Sequence, residues 1–367
     1  MPEHKVKQQY NVLFLHKWFS LSGGVERVHK NLASALSEQG VTASFYVCNV
    51  AGDKYPGYQK LSSEYKATCP EAGSNLISRL RHLFAYIRHN EVNVLIAATE
   101  TANMLALSCS LKFPNLKVIY TRHCDFDVSD QKLSPWMIKA LYNLYSLSNQ
   151  SIVAVSRRLQ GELSSVIRVG KSSVSFIPNA VISDRVLQLA GQNTDNFQPR
   201  RYFCAVGRLV KQKGFDLLIR AYALALRKRP LLPELVIVGV GDDLAQLQAL
   251  ALAEGVAKSV IFNGFTDNPY YIINGAVAFI LSSRHEGMPT ALIEAMYLDT
   301  PVIAFDCPTG PAELIRHGEN GLLVPYMDIN AMADAILNYQ SICGRAISAS
   351  VKDFQFQNVA LAYMRQF

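Results

Sequence analysis

Two carboxylates on either side of a predicted helix start are the strongest sign of chemistry in this chain. Residues 282–294 read SSRHEGMPTALIE. Pro289 suits the first position of a helix, because its missing N–H would have no helical acceptor there. The amides of such a first turn attract an anion. The pattern therefore predicts an anion site at Gly287–Thr290, with Glu286 before it and Glu294 one turn into the helix.

The spacing of these residues indicates the shape of the ligand. Thr290 and Glu294 are four positions apart and share one helix face. Glu294 is then placed to accept hydrogen bonds from a ribose, while Glu286 lies outside the helix on the opposite side of the phosphate. A ligand with a central diphosphate and a hydroxylated ring at each end, such as a nucleotide sugar, fits this arrangement. On spacing alone, two solvated surface acids remain an equal alternative.

Two cations follow another predicted strand. Arg208 and Lys213 occur in GRLVKQKG, in the order strand, G-R-L-x-x-x-K-G, helix. Positive charges just beyond a strand end can neutralise a leaving diphosphate without a metal ion. No zinc-ligand spacing, P-loop or G-x-S-x-G motif occurs in the sequence. We therefore expect neither a metal nor an organic cofactor.

The first half of the chain offers a histidine and a glycine pair. His123 follows a predicted strand in TRHCDFD, where a polar side chain can contact a sugar, with Asp125 and Asp127 nearby. Gly23 and Gly24 lie between the first strand and the first helix, where glycine lets the backbone approach a ligand closely. A polar loop and a plain strand–helix turn are the alternatives at these two places.

Strand and helix alternate along the chain, which predicts parallel sheets with helices on both faces. Residues 52–75 are predicted to be irregular, and 181–201 interrupt the alternation and mark a domain boundary. We expect two doubly wound domains that face each other across a cleft, with ligands at the carboxyl ends of the strands. The predicted strands are Asn11–Leu15, Ala43–Cys48, Asn93–Ala97, Lys117–Tyr120, Ser151–Val155, Tyr202–Val206, Glu234–Val238, Ser259–Phe262, Ala276–Leu281 and Val302–Phe305.

Composition and charge limit the class of protein. The chain has 367 residues, half of them hydrophobic and 18% charged, as in globular proteins. Its seven cysteines form no C-x-x-C pair, which favours a reducing compartment, and no signal peptide or membrane-length run occurs. Residues 1–178 carry a net charge of +8 and 179–367 a net charge of −1. The basic amphipathic helix predicted at Leu76–Glu91 suggests contact with an anionic membrane, or only a helix packed on the sheet.

Taken together, these motifs resemble those of the family 4 retaining glycosyltransferases, which have the GT-B fold. The resemblance covers nearly the whole chain. Glu286 and Glu294 match the family's E-x7-E motif, and GRLVKQKGFDLLIRAY matches its diphosphate-binding segment. DCPTGPAELIRHGENGLLVP, the Gly23-Gly24 loop and the ending DFQFQNVALAYMRQF also match in order. The chain departs from the family at Ala180, where glycine is common, and at Cys124, which separates a usually adjacent histidine and aspartate.

The resemblance implies a role for each matched residue. Glu294 would bind the ribose, Glu286 would contact the donor sugar, and Arg208 and Lys213 would hold the diphosphate. His123 would contact the sugar as well. Further donor contacts would come from Gly23, Gly24, Phe265, Gly287, Met288, Pro289 and Thr290. Residues 1–180, with a returning helix at 353–367, would form the acceptor domain, and residues 181–352 the nucleotide-sugar domain.

The implied activity is transfer of a hexosyl unit, most commonly from a UDP-sugar, to a hydroxyl of a glycan or lipid-linked acceptor in surface polysaccharide or lipopolysaccharide synthesis. Retention without a placed nucleophile favours an ion-pair-like route that needs no metal. The expected location is the cytoplasm, either free in it or peripheral on the inner face of the cytoplasmic membrane. The rival readings are a nucleotide-sugar epimerase of the same fold and a basic nucleic-acid-binding protein. No recognised nucleic-acid motif occurs, so we expect no nucleic acid as partner.

Overall fold

The computed structural model describes residues 9–20, 24–50, 55–123, 134–148, 150–168, 173–192, 202–308, 310–342, 344 and 346–367. The chain divides into two compact units. Unit 1 contains residues 1–180 and 356–367, and unit 2 contains residues 181–355. Each unit is described by itself below.

Unit 1 is a seven-stranded parallel sheet with the strand order β3-β2-β1-β4-β5-β6-β7. Its strands are β1 Asn11–His16, β2 Thr42–Val47, β3 Lys66–Thr68, β4 Val94–Ala97, β5 Lys117–Arg122, β6 Ser151–Ala154 and β7 Val174–Phe176. Its helices are α1 Gly24–Glu38, α2 Tyr55–Glu64, α3 Leu76–His89, α4 Glu100–Lys112, α5 Pro135–Leu147, α6 Arg157–Val166 and, from the end of the chain, α14 Phe356–Met364.

The sheet of unit 1 is covered on both faces, which explains why its central strands are apolar throughout. Right-handed crossovers put α1 and α2 on one face and α3 to α6 on the other. The core of the first face joins Phe14 of β1 and Leu32 of α1 to Val359 and Tyr363 of α14. The helix α14 packs against α1, so the last residues of the chain complete this core.

Unit 2 is a six-stranded parallel sheet with the strand order β10-β9-β8-β11-β12-β13. Its strands are β8 Tyr202–Val206, β9 Glu234–Val238, β10 Val260–Gly264, β11 Ala278–Leu281, β12 Val302–Phe305 and β13 Leu322–Val324. Its helices are α7 Asp184–Ala190, α8 Phe215–Lys228, α9 Leu244–Ala253, α10 Pro269–Gly275, α11 Thr290–Tyr297, α12 Pro311–Leu314 and α13 Ile329–Leu337. Short 3₁₀ segments occupy Lys211–Lys213, Tyr339–Ile342 and Ser348–Phe354.

The strand order of each unit reverses direction once, and open α/β sheets bind ligands at that place. In unit 1 the reversal lies between β1 and β4, which are hydrogen-bonded neighbours. In unit 2 it lies between β8 and β11. The predicted motifs GRLVKQKG and SSRHEGMPTALIE follow these last two strands directly. The sheet topology therefore brings together two motifs that are about 70 residues apart in the sequence.

All ten predicted strands are present, with small shifts at their ends. The prediction for 52–75 was wrong, because this segment contains the helix α2 and the edge strand β3. Pro289 was assigned to the first helical position, but it is the N-cap residue, and α11 begins at Thr290. Within the part of the chain that the structure describes, no helix is long and apolar enough to cross a membrane.

Candidate active site

The turn after β8 packs tightly on the loop after β11. The 3₁₀ segment Lys211–Lys213 ends at Gly214, which has a φ of +64°. A Cβ atom on this residue would lie 2.1 Å from the carbonyl oxygen of Ser282, so only glycine fits. In return, the hydroxyl of Ser282 donates a hydrogen bond of 2.9 Å to the carbonyl of Lys213. The two loops therefore form one rigid piece.

A second set of contacts fixes the same two loops from the other side. The backbone N–H of Arg284 donates to the carbonyl of Gln212 at 2.7 Å. The guanidinium of Arg284 makes two hydrogen bonds, each of 2.7 Å, to the carboxylate of Asp216 in the first turn of α8. Burial alone would raise the pKa of Asp216, but this bidentate partner brings the pKa below its usual range. The pair holds the loop after β11 in place at neutral pH.

The rigid piece brings Lys213 and Glu286 together, as the candidate site requires. The Nζ atom of Lys213 lies 2.6 Å from Oε1 of Glu286, and the hydroxyl of Ser283 donates to the same oxygen, also at 2.6 Å. The stem of Lys213 lies over Gly207, where an added Cβ atom would be 3.2 Å from Cγ of the lysine. Glu286 is 9% exposed. A buried carboxylate with a cation and a hydroxyl on one oxygen is an arrangement suited to polar ligands.

The other carboxylate, Glu294, is deeper in the structure. It is 2% exposed on α11, and the hydroxyl of Tyr270 donates to its Oε1 atom at 3.3 Å. Gly310, with a φ of +97°, packs on the ring of Pro289, where an added Cβ atom would be 2.5 Å from Cδ. The loop after β12 therefore supports the beginning of α11. Burial, and then the charge of Glu286, raise the pKa of the thiol of Cys307 in that loop to about 12.

The remaining predicted residues of unit 2 differ in exposure. Met288 is buried, whereas Gly287 and Thr290 are partly buried at the start of α11. Arg208 is exposed, and no carboxylate among the described residues forms an ion pair with it. Phe265 follows β10 and is 65% exposed. Arg208 and Phe265 are accessible to a ligand, but the structure shows no contact between either of them and the Lys213–Glu286 pair.

In unit 1, His123 lies directly after β5 and is held by Thr121. The hydroxyl of Thr121 donates to the carbonyl of Ala97 at 2.6 Å, and its oxygen is 3.0 Å from Nε2 of His123. Since the hydroxyl proton is used, Nε2 of His123 must be the donor in the second bond. Burial, and then the neighbouring Arg122, lower the pKa of His123 to about 4. This hydrogen-bond network thus assigns a neutral ring with an unprotonated Nδ1, which can accept a hydrogen bond.

Two further histidines pack behind His123. The ring of His29 in α1 meets the ring of His123 edge-on, with centroids 5.5 Å apart, and its Nδ1 atom is 3.1 Å from Nε2 of His16. Burial, and then the charge of His123, lower the pKa of His16 to about 3. Burial, and then His16 and His123, bring the pKa of His29 well below its usual value. The three rings are therefore uncharged at neutral pH.

Sequence reasoning missed several of these residues. His16 ends an apolar strand, and His29 lies on the apolar face of α1, so both resembled core positions. Ser283 stands three residues before Glu286, and this short spacing is the one sequence feature from which its contact with Glu286 could have been predicted. Of the predicted residues, Gly24 begins α1. Gly23, Asp125 and Asp127 lie outside the described residues.

Comparison with known proteins agrees with this architecture. Residues 22–185 match the family model of Glycosyltransferase Family 4, and residues 191–341 match that of Glycosyl transferases group 1. The chain is 28% identical over 363 residues to the amylovoran biosynthesis glycosyltransferase AmsD of Erwinia amylovora, covering 96% of this chain and 95% of AmsD. It is 26% identical over 325 residues to the lipopolysaccharide core biosynthesis glycosyltransferase LpsE of Rhizobium meliloti, covering 88% of this chain and 86% of LpsE.

Solved structures show the same fold. Anabaena HepE in complex with UDP superposes with a TM-score of 0.77 at 18% identity, covering 97% of this chain and 98% of HepE. Two doubly wound parallel sheets with a returning C-terminal helix define the GT-B fold. The chain belongs to the glycosyltransferases of this fold, with a family 4 domain in unit 1 and a group 1 domain in unit 2.

Proposed function

We propose that this glycosyltransferase moves a hexosyl unit from a UDP-sugar to a hydroxyl of a glycan or lipid-linked acceptor, with retention of configuration and without a metal ion. The proposed pathway is the synthesis of a surface polysaccharide or lipopolysaccharide. AmsD and LpsE, which the chain matches over most of its length, carry such processes in their names. HepE, which shares the fold, was solved with UDP and with UDP-glucose.

The contact of Lys213, Glu286 and Ser283 carries the proposal. It lies at the reversal point of unit 2, where the strand ends and the start of α11 meet. The first amides of α11 have no acceptor within the helix, which favours a phosphate there. Lys213 would neutralise the diphosphate, and Arg208, which is exposed after β8, would add a second charge. Glu294, one turn into α11, would accept hydrogen bonds from the ribose hydroxyls.

The proposed reaction requires one bond to break and one to form on the same face of the sugar. The bond from the anomeric carbon to the β-phosphate oxygen breaks, and its electron pair stays on the diphosphate. The acceptor oxygen attacks from the same side, and its proton moves to the departing diphosphate oxygen. Lys213 and Arg208 stabilise the charge that develops on that oxygen, while Glu286 binds a sugar hydroxyl.

The first experiment is a screen of UDP-, GDP- and ADP-sugars by thermal shift with the full chain. A ligand present at a hundred times its dissociation constant adds about 2.7 kcal/mol to the free energy of unfolding. The same donors are then incubated with the protein and candidate acceptors, and release of the nucleoside diphosphate is measured. NMR of the product gives the configuration at the anomeric carbon.

The outcomes separate this proposal from its rivals. Diphosphate release that requires an acceptor, persists in a chelator and yields the donor's configuration supports it. Conversion of a UDP-sugar alone into its epimer indicates an isomerase, and loss of all activity in EDTA contradicts metal independence. An inverted product contradicts the same-face route. Lys228→Ala serves as the control for Lys213→Ala, because Lys228 is an exposed cation at the end of α8 that pairs with Asp334 of α13.

A further inference from the structure

The helix α5 of unit 1 is apolar on the side that faces solvent. Ile138, Tyr142 and Tyr145 point into the unit and are buried. On the opposite side, Trp136 is 70% exposed and Leu147 is 58% exposed. Met137 and Leu144 lie on the same outward side, and both are exposed. A helix that is apolar all round is normally covered, because leaving such a surface in water is unfavourable.

The neighbouring helices extend this surface. The crossovers put α3, α4, α5 and α6 on one face of the sheet, and α5 contacts both α4 and α6. Phe84 of α3 packs on Phe113 at the end of α4, so the row is continuous. Among the described residues, eight of the seventeen large hydrophobic side chains that are exposed belong to α3, α4 and α5. They are Leu76, Ile77, Met104, Leu111, Trp136, Met137, Leu144 and Leu147.

The same face is rich in positive charge. Residues 76–168, which contain α3 to α6, include eleven Lys and Arg and six Asp and Glu. Of these acids, Glu100 is buried against Arg122, Glu162 pairs with Arg158 on α6, and Glu91 is exposed after α3. The exposed cations of the four helices and the loops after them are Arg81, Arg88, Lys112, Lys139, Arg157, Arg158 and Arg168. Apolar side chains among an excess of cations complement a surface that is anionic at its headgroups and apolar beneath.

We propose that the face formed by α3 to α6, here called the four-helix face, binds the surface of an anionic lipid bilayer. The apolar side chains of α5 enter the boundary between headgroups and acyl chains, and the cations contact the phosphates. A second copy of the chain fits this face less well, because the two copies would place like charges opposite each other. The inference rests on exposure and charge in unit 1 and does not depend on which sugar is transferred.

The test uses sedimentation of the full chain with vesicles of phosphatidylglycerol and phosphatidylcholine, or of phosphatidylcholine alone, at low and at physiological salt. Binding to the anionic vesicles should be strong at low salt and weaken as salt rises. Leu144→Ser with Leu147→Ser should weaken binding about a hundredfold, since each buried leucine is worth about tenfold. Arg81→Glu with Lys139→Glu should weaken it by roughly fivefold for each charge removed. Leu252→Ser, at an equally exposed helical position of unit 2, should have no effect.

A second measurement reports the insertion of α5 directly. The chain has two tryptophans, so Trp18→Phe leaves Trp136 as its single indole. With anionic vesicles the Trp136 emission should shift to the blue and become protected from a water-soluble quencher. Equal binding to neutral and anionic vesicles, or unchanged Trp136 emission on bound protein, overturns the proposal. A monomer–dimer equilibrium that Leu144→Ser abolishes while vesicle binding is unchanged would assign the face to a second copy instead.

Discussion

Acidification should destabilise unit 1 because three neutral histidines are packed inside it. His16, His29 and His123 are held uncharged mainly by burial, with a pKa of about 3 for His16 and about 4 for His123. In the unfolded chain the ordinary value of 6.5 applies. Below that value the unfolded state binds more protons than the folded state, so the free energy of unfolding decreases as the pH is lowered. The loss begins near 6.5 and continues down to the folded pKa of each ring.

The magnitude at a given pH follows from how far that pH lies below the pKa of the unfolded state, as long as the folded ring stays neutral. At about pH 5 the unfolded histidine is 1.5 pH units below its pKa, and the folded ring is still neutral. Since one unit corresponds to about 1.4 kcal/mol, each ring costs about 2 kcal/mol relative to neutral pH. His16 and His123 together cost about 4 kcal/mol, and His29 adds to that loss. This is a large part of the stability of an ordinary domain.

Tryptophan fluorescence can measure this effect in unit 1 alone. The chain has two tryptophans, Trp18 and Trp136, and both belong to unit 1. Urea unfolding of the full chain, followed by this signal at about pH 7.5 and about pH 5, gives the free energy of unfolding at each pH. His29→Gln removes one titrating ring and should make the difference smaller, whatever it does to stability at neutral pH.

The matched control is His89→Gln, at an exposed position on α3 in the same unit. It should leave the pH dependence of the parent unchanged. The explanation is refuted if His29→Gln loses as much stability on acidification as the parent does. A parent whose unit 1 signal unfolds at the same urea concentration at both pH values would refute it as well.

Three further predictions concern unit 2. Glu294→Ala should weaken UDP binding by one to two orders of magnitude in calorimetry, because a charge-assisted hydrogen bond is worth about 1.5–3 kcal/mol; parent-like affinity would contradict the ribose assignment. Arg208→Ala and Lys213→Ala should each lower kcat about a hundredfold. Only Lys213→Ala should also lower the melting temperature, because it leaves buried Glu286 without its cation; equal melting temperatures would show that this pair adds no stability. Gly214→Ala should destabilise unit 2 more than Gly255→Ala, since both have positive φ but only Gly214 meets a carbonyl; equal costs would refute the required close approach.

Sequence reasoning placed the strands of the central sheets well, because buried parallel strands are short apolar runs with clear ends. It failed at 52–75, where Pro56 and Gly57 resemble a turn. Proline is tolerated in the first turn of a helix, and α2 begins at Tyr55. Gly57 is needed for another reason, since an added Cβ atom would lie 2.1 Å from the carbonyl oxygen of Phe19. That close approach depends on tertiary packing, which no local pattern contains.

The candidate site was predicted in part for the same reason. Each motif was recognisable by itself, because helix starts and strand ends have local signals. The contact between Lys213 and Glu286 joins residues 73 positions apart and depends on how Gly214 packs on Ser282. The histidines behind His123 were hidden because a neutral buried imidazole takes the place of an apolar residue. The roles assigned to the two domains and to the site residues stay predictions.

The return of α14 to unit 1 has a consequence for how the chain folds during synthesis. Val359, Ala360 and Tyr363 are buried in the core of unit 1, and the rings of Tyr10 and Phe367 are 5.0 Å apart. A ribosome releases residues 1–180 long before these partners exist, whereas all of unit 2 precedes them. The unit that is made second can therefore be completed first, and the apolar side chains beside α1 must wait until residues 356–367 have been synthesised. In this interval a nascent chain exposes the surface that α14 later covers, and there a chaperone would find its binding site.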